Sequence, residues 1–159
     1  MSPLNRALLC LPLALISLSA QSQGMRPSLQ QHTAEAIALA CVSMAAGKGW
    51  RMAVAVNDET GNLLHFSRMD GAALISVPVS QLKANTSSAL PISTRQFRAA
   101  SASNQGAELL SGITTVAGGL PITDARGVAL GSVGVSGGNE DQDELCAQAG
   151  LNAVKGMLQ

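Results

Sequence analysis

The chain has 159 residues, with ten basic and ten acidic side chains and no formal net charge at neutral pH. This balance, without a basic stripe, argues against nucleic acid and anionic membranes as partners. One Trp, two Phe and no Tyr leave a core of small side chains, which favours a homo-oligomer.

The N-terminus has the organisation of a signal peptide. A basic residue precedes an apolar run over residues 7–18, and small residues then permit cleavage after Ser22 or Gly24. The run is too short for a membrane span. We therefore predict a signal peptide over residues 1–24 and one mature domain over residues 25–159. The mature protein is expected to be periplasmic or secreted and free of the membrane.

Export would permit a disulfide between Cys41 and Cys146, the two cysteines of the mature chain. Both fall on predicted helices among apolar neighbours, which is also typical of buried free thiols. The sequence leaves both alternatives open, because a bridge requires Cα atoms within about 7 Å of each other.

Helix and hairpin signals alternate along the mature chain. Capping boxes at Ser28–Gln31 and Ser93–Gln96 begin the first and third helices, and Gly47 is predicted to end the first. Asp58 and Asp124 mark the turns of two hairpins. The predicted elements are a helix over 29–46, strands over 52–57 and 62–69, helices over 76–90 and 94–100, strands over 120–123 and 128–135, and a helix from about 139.

The last helix is predicted to carry one apolar stripe, formed by Leu145, Ala149, Ala153 and Met157. Helices on either side of a meander of strands predict an α+β fold, a single domain with an antiparallel β-sheet flanked by helices. Glycines are dense in and beside the strands of residues 118–150. Because they weaken a sheet unless something must approach its backbone, they predict a ligand site or a subunit interface there.

Four sequence pieces occur in a fixed order: RMDGA at 68–72, LKANTS at 82–87, GGLPI at 118–122 and GSVGVSGG at 131–138. Together they resemble the GlcG/HbpS-like family of haem-binding domains, which includes the C-terminal domain of PduO-type proteins. The resemblance covers about residues 29–154. It implies a helix-flanked sheet, dimers or higher oligomers, and binding of haem or a related tetrapyrrole. In exported members it implies haem sensing or handling.

His32 is predicted to be the iron ligand, since some haem-binding relatives use a histidine of the first helix. The positive helix end disfavours an imidazolium there and leaves a neutral nitrogen for iron. A surface histidine is the alternative. His65 and Met69 could form a His/Met axial pair. However, two side chains on one strand face cannot lie on opposite sides of one iron. His65 is therefore interpreted as a solvent or interface residue, and Met69 as part of the cofactor site.

Two cations are predicted to contact an anionic group of the ligand. Arg68 could bind a propionate or another carboxylate through its fork of donors, or it could pair with Asp70 and fix the turn. Lys83 could hold an anionic ligand, or it could extend to solvent as helical lysines usually do. Arg95 and Arg98 are interpreted as a solvated helix face.

Two glycine pairs complete the predicted site. Gly118 and Gly119 permit unusual backbone angles, and Gly137 and Gly138 precede a helix whose free amides could bind an anion. The acidic first turn of that helix makes phosphate improbable but leaves room for a small carboxylate.

The leading hypothesis is an exported homo-oligomer that binds haem or a related tetrapyrrole without turning it over. One alternative is an enzyme that processes a small organic acid or haem, with Arg68 or Lys83 holding a carboxylate. Another is a non-catalytic assembly module, in which Gly131 and Gly134 let the sheets of neighbouring subunits pack closely. No catalytic constellation is recognisable, so enzymatic activity stays open.

Overall fold

The computed structural model of the protein describes residues 27–103, 106 and 110–158. The predicted signal peptide and its cleavage positions lie outside these residues. In the described part of the chain the helices are α1 (Gln31–Gly47), α2 (Ser76–Ala89), α3 (Thr94–Ser101) and α4 (Glu140–Ala153), and the strands are β1 (Ala53–Asp58), β2 (Leu63–Arg68), β3 (Gly119–Thr123) and β4 (Ala129–Ser136). None of the helices formed by described residues has the length and apolar character needed to cross a bilayer.

The described strands form one antiparallel sheet in the order β2-β1-β4-β3. The predicted α+β class, with helices flanking an antiparallel sheet in a single domain, is confirmed. The predicted meander is wrong, because the two hairpins meet through β1 and β4 rather than through β2 and β3. The two central strands consist mostly of valines and small residues, which suits strands covered on both faces.

Each face of the sheet is covered by helices. Valines in β1 and β4 alternate with smaller residues, so one face presents apolar side chains and the other leaves room for a close helix. Helices α1 and α4 pack on the valine face and complete the main apolar core. Helix α2 packs on the opposite face, where the Ser132 hydroxyl donates to the carbonyl oxygen of Ala84 at 2.7 Å.

A disulfide joins α1 to α4 inside the core. It links Cys41 to Cys146, whose Cα atoms are 4.7 Å apart, and both residues are fully buried. One turn along α4, Gly150 lies against the backbone of Ile37, where a Cβ would come within 2.7 Å of the carbonyl oxygen. The glycine lets the two helices approach closely. The sequence left a disulfide and two buried free thiols as alternatives. The structure contains the disulfide.

The ends of α1 differ from the predicted ones. The N-cap is Gln30 and no side chain caps the helix, because Ser28 lies too far ahead of the first turn. Gly47 belongs to the helix rather than ending it, and Gly49 takes the left-handed conformation after it, at φ 72°. The capping box of α3 at Ser93–Gln96 is confirmed.

Both predicted hairpin turns are confirmed, and each is fixed by an aspartate. The Asp58 carboxylate accepts the backbone amide of Asn62 at 2.9 Å, and that of Asp124 accepts the amide of Val128 at 2.8 Å. Each acid thereby closes its own turn, which accounts for both aspartates without a ligand.

The predicted apolar stripe of α4 is wrong. Leu145 is 57 % exposed and Met157, beyond the helix, is 46 % exposed. The buried residues of the helix are Asp143, Cys146, Ala147 and Gly150. The disulfide and an ion pair of Asp143 hold this small-residue face against the interior. Together they outweigh the preference of the larger apolar side chains for burial.

Candidate functional site

Four of the eight predicted site residues lie around a buried ion pair. Lys83 of α2 is 1 % exposed, and its ammonium lies 2.7 Å from Oδ2 of Asp143 in α4. The same ammonium donates to the carbonyl oxygen of Val135 at 2.8 Å, and Oδ1 of Asp143 accepts the amide of Gly138 at 2.8 Å. Both charges are therefore satisfied inside the protein, as buried charges must be.

The predicted glycines make room for this pair. A Cβ on Gly118 would lie 2.9 Å from the Lys83 ammonium and 2.8 Å from the Asp143 Cβ. On Gly119 it would lie 2.5 Å from the Lys83 carbonyl oxygen, and on Gly134 it would collide with the Ser80 carbonyl oxygen of α2. The close neighbour that the glycine density predicted is thus helix α2 of the same chain.

Two interpretations are corrected by this arrangement. Lys83 does not extend to solvent, and its donors face Asp143 and a main-chain carbonyl rather than an open ligand site. Gly131 and Gly134 do not face a second subunit, because a Cβ at these positions would meet the carbonyl oxygens of Asn57 and Ser80 in the same chain. The sequence signal that was missed is Asp143, an acid on the small-residue face of α4.

The second predicted glycine pair, Gly137 and Gly138, also contacts other parts of the chain. Gly137 packs on the carbonyl oxygen of Arg51, and the amide of Gly138 is bound by Asp143. At the start of α4, Asn139 accepts the amide of Gln142 at 2.9 Å in a capping box. These contacts occupy the Gly138 and Gln142 amides, so fewer donors remain for the predicted anion site at this helix end.

Helix α3 is tied to α4 by ion pairs of Arg95 and Arg98. Their predicted solvated face is confirmed in part, because the two side chains are 41 % and 43 % exposed although both pair with acids. Arg95 contacts Glu144 at 2.6 Å as well as an aspartate, and Arg98 contacts Glu140 at 2.8 Å. The hydrogen bonds from Arg98 are the main reason why the pKa of Glu140 lies below its ordinary value. These acids therefore serve to hold α3 against α4.

The RMDGA segment, by contrast, borders an open groove at the end of β2. The groove has a volume of about 410 Å³. Its lining residues are Val42, Arg51, Ser67, Arg68, Met69 and Asp70. Of the predicted site residues, Arg68 and Met69 lie here. Arg51 was missed by sequence reasoning, although the predicted hairpin already places the start of β1 beside the end of β2.

The alternative in which Arg68 pairs with Asp70 is not formed. Within the described residues no ion pair joins them, although they are close in sequence and both are exposed. Met69 is half-buried against the core, and its sulfur accepts the backbone amide of Met52 at 3.3 Å. The groove thus combines guanidinium donors with an apolar surface.

The predicted iron ligand lies elsewhere. His32 is exposed in the first turn of α1 and makes no hydrogen bond with any described residue. Val42, which borders the groove, is about 15 Å farther along the helix axis at 1.5 Å per residue. His65 is half-buried on β2 opposite Val56. His32 and Arg68 therefore do not converge on one point of a protomer.

Fold and motifs together define the class of protein. The chain belongs to the family described as haem degrading protein HbpS-like, whose sequence model matches residues 29–152. It is 34 % identical over 109 residues to protein GlcG of Escherichia coli K12, covering 68 % of this chain and 81 % of GlcG. It is also 38 % identical over 102 residues to an uncharacterised 15.0 kDa protein of Citrobacter freundii, covering 61 % and 71 % of the two chains.

Solved structures agree with this assignment. The crystal structure of HbpS superimposes with a TM-score of 0.78 at 31 % identity, over 82 % of this chain and 92 % of HbpS. The crystal structure of a PduOC:haem complex superimposes with a TM-score of 0.73 at 25 % identity, over 79 % and 94 % of the chains. The predicted family resemblance is confirmed.

One described histidine on the surface of α1 could serve as a ligand of a haem iron. Such a ligand must be accessible and must keep a free nitrogen, and His32 meets both conditions within the described chain. Met69 fits poorly as a second ligand, because its sulfur is already an acceptor for the chain's own backbone.

Proposed function

We propose that this protein is an exported haem- or tetrapyrrole-binding protein that senses or handles haem, with His32 as the iron ligand. The observation that carries the proposal is the family membership of a chain whose fold matches a domain crystallised with haem. When bound, haem supplies an iron centre that accepts an axial nitrogen. His32 would bind that iron from the exposed side of α1.

The test is a titration of the mature protein with haemin, followed by the Soret band. Wild-type protein is expected to give a saturable shift that the His32→Ala variant loses, since the imidazole nitrogen is removed. His65→Ala is the matched control, because this histidine is half-buried on β2 and is expected to leave the shift unchanged. A His32→Ala spectrum identical to that of the wild type would refute the ligand assignment.

Export is supported by two features of the chain. The N-terminal segment has signal-peptide character, and the mature cysteines form a buried disulfide of the kind that oxidising compartments maintain. Expression with the native N-terminus should place the protein in the periplasm or medium, with a new N-terminus near residues 23–25. Full-length protein retained in the cytoplasm would contradict this proposal.

Homo-oligomerisation is supported by large apolar side chains that are exposed to solvent. Leu74 and Ile75, just before α2, are 79 % and 66 % exposed, and a second copy of the chain is the proposed partner that covers them. Light scattering should show an oligomer that Leu74→Ser/Ile75→Ser dissociates and that Glu35→Ser, at an exposed polar position of α1, leaves intact. A monomeric wild type would refute the proposal.

Haem degradation is a second candidate, favoured by the family description. It predicts that the Soret band of the bound haem decays in the presence of ascorbate, and that the decay depends on native protein. If the band decayed no faster than it does with denatured protein, the protein would bind haem without degrading it.

A further inference from the structure

The groove beside β2 contains two arginines with no acidic partner. Arg51 and Arg68 are both exposed, and neither forms an ion pair with any described residue. Asp70 is the only acid among the residues that line the groove, so the groove carries a net positive charge. Elsewhere in the described chain, Arg95, Arg98 and Arg126 all have carboxylate partners. The two groove arginines are therefore available to an external anion.

The position of Arg51 is fixed by the chain around it. Gly137 packs on its carbonyl oxygen, and its Cδ would lie 3.7 Å from a Cβ on Gly71, so the side chain runs along the RMDGA backbone. One guanidinium nitrogen, Nη1, donates to the carbonyl oxygen of Trp50 at 3.2 Å. The stem thus lies against the chain, while the other guanidinium donors have no partner among the described residues.

Arg68 reaches the same groove from the neighbouring strand. It ends β2 and pairs with Ala53, the first residue of β1, just beyond Arg51. Val42 of α1 and the half-buried Met69 provide apolar contact surface beside the two guanidiniums. Guanidinium groups next to an apolar surface suit a ligand that carries a carboxylate on an apolar skeleton.

We propose that this groove binds an organic carboxylate. Arg51 and Arg68 hold the carboxylate, and Val42 and Met69 contact the hydrocarbon part. The carboxylate has two sources, a propionate of a tetrapyrrole or a free small acid. In the first case the inference deepens the proposed function and rests on it, while in the second it stands apart from it.

The test uses protoporphyrin IX and hexanoate as probes of the mature protein. Both carry free carboxylates, and neither contains iron, so their binding does not depend on His32. Trp50 is the only tryptophan and directly precedes Arg51, so its fluorescence reports on the groove. Protoporphyrin IX dimethyl ester and hexanamide are the matched probes without a carboxylate.

Saturable quenching by at least one of the acids is expected. Arg51→Gln and Arg68→Gln should each weaken that binding about three- to tenfold, as expected for an exposed charge-assisted contact. Arg126→Gln is the control. It removes a guanidinium from the turn between β3 and β4, at the far edge of the sheet, and should leave binding unchanged.

The outcomes separate the two sources. Arginine-dependent binding of protoporphyrin IX but not of its ester identifies the groove as a propionate anchor. Arginine-dependent binding of hexanoate alone identifies a site for small acids. Affinities that the arginine variants leave unchanged, or no binding of either acid, would overturn the proposal. Because haemin ligation by His32 is measured separately, failure here does not imply failure of the proposed haem function.

Discussion

Two regions of this protein hold cations beside family-like glycine motifs, yet they differ in what the cations can do. Lys83 of α2 contacts Asp143 and the GVSGG segment, and it is almost completely buried and bonded to its own chain. Arg51 and Arg68 border the RMDGA groove, exposed and without an acidic partner in the described chain. The first region holds the layers together, and the second is accessible to a ligand.

The comparison shows that a motif can identify a family without marking its ligand site. In the sequence Lys83 and Arg68 are equivalent, since each is a cation within a family-like motif. In the structure the difference comes from burial. A fully buried ammonium must have its charge satisfied by the protein, whereas an exposed guanidinium is satisfied by water until an anion replaces it.

The largest effect is expected from breaking the buried pair. Lys83→Ala leaves the Asp143 carboxylate buried without its cation and should lower the free energy of unfolding by about 3–5 kcal/mol. Urea denaturation measures this. The double variant Lys83→Met/Asp143→Asn is the control, since it removes both charges, and it should lose much less. A loss below about 1 kcal/mol in Lys83→Ala would show that the pair does not hold α2 to α4.

Removal of the disulfide should come next. Cys41→Ala/Cys146→Ala is expected to cost about 2–5 kcal/mol, because the bridge closes a long loop between α1 and α4. The same urea experiment applies, and reduction of the wild type with dithiothreitol in denaturant should reproduce the loss. Equal stability of oxidised and reduced protein would contradict a structural role for the bridge.

The close contact of α2 with β4 can be tested at Gly134. Gly134→Ala places a methyl group against the Ser80 carbonyl oxygen and should lower stability by about 1–3 kcal/mol. Gly47→Ala is the matched control, since nothing lies within 4 Å of its Cβ position in α1, and it should be neutral or slightly stabilising. If Gly134→Ala changed only the oligomeric state, the glycine would serve an interface between subunits after all.

A much smaller change in stability is expected in the groove. Arg68→Gln should alter the unfolding free energy by less than about 0.5 kcal/mol, because the side chain is exposed and has no partner to lose. Thermal unfolding followed by circular dichroism measures this. A loss as large as that of Lys83→Ala would show that Arg68 belongs to the framework rather than to a ligand site.

The smallest effect concerns pH and the contact between α3 and α4. Since the pKa of Glu140 is lowered in the folded protein, chiefly by Arg98, this acid stabilises the fold at neutral pH. That contribution is lost as the pH falls through the lowered pKa. Arg98→Gln should reduce stability at pH 7 by at most about 0.5 kcal/mol, because solvent screens the pair, and should have no effect at pH 2. A similar loss at both pH values would exclude the charge as its cause.

The local elements of the fold could be read from the sequence. The hairpin turns at Asp58 and Asp124 and the capping box at Ser93 follow from contacts within a few residues, so neighbours alone decide them. The order of motifs also identified the family correctly, and with it the α+β fold.

Contacts between groups far apart in the sequence depend on how the whole chain packs. The partners Lys83 and Asp143 are separated by 60 positions, and Cys41 and Cys146 by 105, so no periodicity encodes their contact. The sheet order and the inward face of α4 follow from the same long-range packing. Contacts between near neighbours, including the hairpin that places Arg51 beside Arg68, were readable in the sequence together with the family. Packing then determined which cations are paired in the interior and which remain exposed at the surface, because the cost of burying a charge depends on its surroundings.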